Sequence, residues 1–186
     1  MPKLLLATAS WTGAVLVFAL LAALAGPGAT ADAGPPVDLR MAAPVIREAL
    51  GAVGTVGWYR MCDRLACHAY GHANSGYPTA AAHWQAMLAT GHAHRVDRCA
   101  PAGSFAFWAT PSGAGHVALV VAADPTCNPD DIWLVSNDVL DAEVGQHGGA
   151  YLVSLTRLET GFVNHVDYLG WSEPICPGGL LDGAVA

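Results

Sequence analysis

A chain of 186 residues with a formal charge of −7 at pH 7 has room for one domain with a core of its own. Its single lysine, Lys3, and seven scattered arginines form no basic patch, which argues against a nucleic-acid partner. Five cysteines, an odd number, leave one thiol over if the other four pair.

The first 33 residues read as a leader rather than as part of the fold. Lys3 gives a short basic start, and residues 4–25 are almost wholly apolar. Gly26, Pro27 and Gly28 follow, then small residues that permit cleavage after Ala31 or after Ala33. Membrane contact is expected only through this signal peptide, and the mature protein is expected to be secreted, to the extracellular space or the cell wall. Export permits disulfides.

A lead-in and first helix are expected over 34–56. Leu39, Ala42, Ala43, Ile46 and Leu50 fall near helical spacing, and Asp38 is a candidate N-cap. Gly51, Gly54 and Gly57 make a loop ending at Trp58. Residues 59–70 place Met61, Cys62, Leu65, Ala66, Ala69 and Tyr70 at intervals of three and four, the pattern of a mostly buried helix stopped by Gly71. Pro78 and Thr79 open another helix, which Gly91 closes. His92 and His94 fall in a solvated loop.

From there the periodicity changes. Residues 104–109, 116–122, 132–137 and 150–155 are short valine- and aromatic-rich runs between turn residues, read as antiparallel strands. Residues 124–131 form a polar connection carrying Cys127, 156–159 a helical turn, and 168–171 a last extended segment. Helices first and a sheet afterwards define an α+β domain over 57–178, with a flexible tail at 179–186.

Two segments carry candidate chemistry. Cys62 lies in the first turn of its predicted helix, where backbone N–H groups and the helix dipole favour a negative sulfur. His116 opens a strand 54 residues later, behind Gly113, Ala114 and Gly115, small residues that let another element come close. A thiolate is the nucleophile in thiol hydrolases, and a nearby imidazole is the usual means of forming it. The imidazole needs an orienting group on an adjacent strand. Asn137 is the first choice and Asp138 the reserve, because the two point to opposite faces of a regular strand. Cys67 competes with Cys62, but it lies about 140° round the helix and deeper within it. With Cys62 as the thiol, Cys67, Cys99, Cys127 and Cys176 form two disulfides; Cys67 with Cys99 and Cys127 with Cys176 is the favoured pairing. Tyr59, Tyr77 and Trp84 are candidates for a groove wall, with core burial the competing reading. Trp108 and Trp171 are expected in the core. His68 and His72 are spaced for a metal, but Gly71 ends the helix between them, and no metal or other cofactor is expected.

These motifs resemble those of the NlpC/P60 and CHAP group of papain-like cell-wall hydrolases. The matching segments are Met61-Cys62 leading a helix, Pro101-Ala102-Gly103-Ser104-Phe105-Ala106-Phe107-Trp108, Gly115-His116-Val117-Ala118-Leu119-Val120, and Val135-Ser136-Asn137. The resemblance covers residues 57–138. It implies a papain-like fold with N-terminal helices on an antiparallel sheet, Cys62 as nucleophile, His116 as base and Asn137 as third residue. It also implies hydrolysis of amide bonds in peptidoglycan or its stem peptides; the protein is expected to be a monomer. The chain departs from the group at Met61-Cys62-Asp63-Arg64, where NlpC/P60 enzymes usually carry Asp-Cys-Ser-Gly. The alternative is a catalytically inactive, disulfide-stabilised secreted binding or toxin-like module of the same fold; a thiol acyltransferase using the same two residues is a third, weaker option.

Overall fold

The computed structural model describes residues 44–137, 148–161, 166–176 and 179–180. The expected leader at 1–33, the Asp38 cap and Asp138 lie outside them. The order is α1 (Pro44–Ala52), α2 (Cys62–His68), α3 (Ala80–Thr90), β1 (Ala93–Arg95), β2 (Phe105–Ala109), β3 (His116–Ala122), β4 (Trp133–Asn137), β5 (Ala150–Ser154), α4 (Leu155–Gly161), β6 (Asp167–Ser172), β7 (Ile175–Cys176) and β8 (Gly179–Leu180). The domain is α+β, as expected.

Six strands form one antiparallel sheet in the order β1-β6-β2-β3-β4-β5. β2 and β3 are central and buried on both faces, which is why Phe105–Ala109 and His116–Ala122 read as continuous apolar runs rather than alternations. Phe105, Phe107, Val117, Leu119, Val121 and Val135 face a cluster that includes Ala49 of α1, Leu65, Ala66 and Cys67 of α2, and Trp84 of α3. Ala106, Trp108, Ala118, Val120 and Leu134 face the other way, against Trp171 and the α4 residues Leu155 and Leu158. Ala49 and its neighbours Val45, Ile46 and Leu50 pack into the first cluster, so α1 belongs to the domain's core.

α3 has both signals its sequence carries. The Thr79 hydroxyl accepts a hydrogen bond from the Ala82 N–H at 3.1 Å, and Gly91 closes the helix in the left-handed conformation. α2 is shorter than the periodicity suggests. It begins at Cys62 because Arg60, at φ 57°, stands outside helical geometry.

Three elements depart from the sequence reading. His92 and His94 are not in a solvated loop: β1 covers Ala93–Arg95, and Glu173 clasps both rings, at 3.4 Å from His92 Nδ1 and 3.0 Å from His94 Nε2. Gly179–Leu180, expected in a flexible tail, pairs with Ile175–Cys176. The disulfides join Cys67 to Cys176 and Cys99 to Cys127. The four cysteines are the expected ones, but the favoured pairing is corrected. Cys67 lies in the helix-side cluster together with Cys176, while Cys99 follows β1 and meets the β3–β4 connection at Cys127.

Candidate active site

Cys62 is the first residue of α2 and lies outside both disulfides. Cys67 is bonded to Cys176, which removes it as a competing nucleophile. Met61, at the N-cap, caps no backbone N–H with its side chain. The approach to α2 is held from two sides. The Trp58 N–H donates to the Gly148 carbonyl at 2.8 Å, and the Trp58 carbonyl accepts from Asn137 Nδ2. Gly148 sits at φ 86°, and a Cβ there would stand 2.8 Å from the Tyr59 nitrogen, so only glycine lets the two backbones meet.

His116 opens β3 and is 4% exposed. Its Nε2 lies 2.8 Å from Ser136 Oγ, and its ring lies 5.9 Å from that of Trp108, its cross-strand neighbour on β2. Burial pushes the imidazole down to a pKa of about 3, so the ring is neutral at pH 7.

The group on the imidazole is therefore Ser136, not Asn137. The strand pattern explains this. Leu119 pairs with Val135 and Val120 with Leu134, so His116, Ala118, Leu134 and Ser136 share a face, while Asn137 follows Val135 onto the other. Asn137 is fully buried there and binds the loop that leads into α2. It thereby supports the segment that leads to Cys62. Alternation in the sequence could have found Ser136, but only once the β3–β4 register was known.

Cys62 and His116 line one open cleft of about 670 Å³. Tyr59 and Tyr77 line it too, together with Asn74, Ser75, Thr110 and Ser112. Tyr59 is exposed, and the Tyr77 N–H donates to Ser75 Oγ at 3.2 Å, which fixes the loop before α3. Trp84 is a correction to the groove reading. It is 4% exposed and packs its ring 5.2 Å from Phe107 in the core. Trp108 and Trp171 are core residues, as expected.

A pair that the sequence reading missed reaches the same wall through one member. Asp63 follows Cys62 and lines the cleft, and its Oδ1 is 2.7 Å from Nδ1 of the fully buried His83 on α3. The contact joins residues 20 apart in different helices, and no local spacing signals it.

No protein-family model matches this chain, and no curated protein matches it significantly. Two disulfides fit an oxidising setting. Among the described residues, no helix is long and apolar enough to cross a membrane, and no group of three His, Cys, Asp or Glu residues could hold a metal ion.

Proposed function

We propose that this is a secreted, papain-like thiol hydrolase that cleaves amide bonds in peptidoglycan, acting through Cys62 and His116. One observation carries the reading: a cysteine outside the disulfides at a helix start and a buried histidine at a strand start line the same cleft, with the histidine's Nε2 held by Ser136. The substrate class rests on the motif resemblance, and an open cleft flanked by two tyrosines suits an extended peptide–sugar substrate.

The chemistry follows from the proton inventory. With Nε2 held by the Ser136 hydroxyl, Nδ1 of His116 takes the Cys62 thiol proton as the sulfur attacks the amide carbonyl. The tetrahedral oxyanion is met by the Cys62 backbone N–H at the start of α2. The amine leaves with the proton from His116, and a thioester remains on Cys62. Water then gives a proton to His116, attacks the thioester and releases the carboxylic acid, restoring thiol and imidazole. Because burial opposes the imidazolium, His116 rests neutral and able to take the thiol proton.

The same burial favours a second reading, the inactive stapled module, in which His116 serves only as a satisfied core residue. Amine release from purified peptidoglycan by the oxidised mature protein separates the two. Hydrolysis that falls about 10³-fold or more in Cys62→Ala, with melting unchanged, supports the enzyme. Ser136→Ala is expected to slow turnover by about tenfold, the worth of one orienting hydrogen bond of ~1.4 kcal/mol. Hydrolysis that is unchanged in Cys62→Ala, or absent from the parent, refutes the enzyme; absence from the parent leaves the stapled module.

A further inference from the structure

Asp63 poses an electrostatic problem for its neighbour. It adjoins Cys62 in sequence, is buried, and lines the same cleft. A carboxylate at that place opposes a thiolate on Cys62, as any near like charge does. The other titratable groups lining the cleft are Tyr59, Arg60, Arg64, Tyr77 and His116. The two arginines are on exposed positions, where solvent screens them.

The buried partner of Asp63 is His83. A carboxylate accepts only, so the 2.7 Å contact is a hydrogen bond donated by His83 Nδ1–H. The ring is locked on three sides. It stacks on Tyr77 with centroids 4.2 Å apart and meets Phe107 at 5.2 Å and Phe105 at 5.9 Å, both edge-on. Tyr77 is itself part of the cleft wall. One contact thus ties the first turn of α2, α3 and the Tyr77 loop together, and it aims an N–H donor at the buried carboxylate beside Cys62.

We propose that Asp63 and His83 are a positioning pair for Cys62: His83 holds the first turn of α2 through Asp63 and offsets the carboxylate's charge, so that the adjacent thiol ionises readily. This rests on Cys62 as the reactive thiol of the proposed site. It is read from the thiol itself, so it can fail or stand independently of peptidoglycan hydrolysis.

The experiment is the rate of iodoacetamide alkylation of Cys62 against pH, in the oxidised full-length mature protein, with peptide mapping of the label. In His83→Leu the carboxylate loses its donor. The midpoint of the profile should rise by about one unit, a rate about tenfold lower at pH 7. His83→Gln, whose amide can still donate to Asp63, should lie nearer the parent, and the double variant Asp63→Asn/His83→Leu should return to it. A purely structural role would lower stability without this ordering. A His83→Leu midpoint equal to the parent's overturns the proposal. Should His83→Leu fail to fold, His83→Phe is read by the same criterion: a midpoint about one unit above the parent's supports the proposal, and one equal to it overturns it. In Asp63→Asn, which removes the charge and keeps an acceptor for His83, alkylation about tenfold faster at pH 7 means that the charge was never offset, and overturns it.

Discussion

Gly115 is the residue on which the approach of α3 to the start of β3 depends, and replacing it with alanine has a cost that can be worked out. Gly115 precedes His116 and sits at φ 72°. A Cβ there would lie 2.8 Å from the Ala81 nitrogen and 3.2 Å from its Cα. The obstacle is backbone, and it is pinned, because the Ala81 N–H donates to the Ala114 carbonyl at 2.9 Å. Gly115→Ala therefore adds a left-handed alanine, about 1–2 kcal/mol, to an overpacked contact of about 1–3 kcal/mol. Gly113 supplies the control. Its φ is 76°, but nothing lies within 4 Å of an added Cβ, so Gly113→Ala carries only the first cost. The two variants should differ by about 1–3 kcal/mol, or about 3–10 °C in melting temperature for a domain of this size. Thermal unfolding of both variants, with disulfides intact, reads the difference. Equal melting temperatures would refute the reasoning, since they would mean that α3 retreats from β3 without cost.

The disulfide pairing makes a second prediction. Peptide mapping without reductant should recover Cys67 linked to Cys176 and Cys99 linked to Cys127; a Cys67–Cys99 peptide contradicts the fold. The bonds close separations of 109 and 28 residues, for which chain entropy gives about 4.8 and 3.6 kcal/mol, so Cys67→Ser/Cys176→Ser should lose more stability to urea than Cys99→Ser/Cys127→Ser. The third concerns acid. His116 in the folded protein is pushed down to about 3 from 6.5 in the open chain, so between those values the unfolded state binds the extra proton. Its contribution is fully present above pH 6.5 and is lost as the pH falls toward 3, at up to about 1.4 kcal/mol per unit. Urea midpoints between pH 7 and pH 4 should fall, and fall less steeply in His116→Gln; parallel profiles for the two proteins would contradict the burial of this ring.

What the sequence carried and what it did not divide along physical lines. β3 was legible from end to end, because its run starts behind Gly113 and Gly115, stops before Asp124 and Pro125, and has both faces covered. α3 was legible because Thr79 and Gly91 are local signals acting over a few residues. The start of α2 was not. Residues 59–61 keep the apolar spacing, but Trp58 is held by Asn137 of β4 and by Gly148 in the turn before β5, and a tertiary contact overrides the period. β6 inserts between β1 and β2, a pairing of strands far apart in the chain that no turn signal announces. The choice between Ser136 and Asn137 needed the β3–β4 register, and shifting a register by one residue exchanges the faces.

The corrected pairing also explains how a lone thiol persists beside a disulfide in a setting that oxidises thiols. Cys62 and Cys67 share α2 and are five residues apart, which turns them about 140° from one another on the helix. Cys67 spends that direction on the core, where Cys176 reaches it, and Cys62 is left facing the cleft. Exchange of the Cys62 thiol into the Cys67–Cys176 bond would require in-line attack on a fully buried sulfur, and so the unwinding of a helix that Asp63 and His83 hold at its first turn. The helix that presents the Cys62 thiol to the cleft is thus also what separates it from the disulfide that secures that helix to the fold.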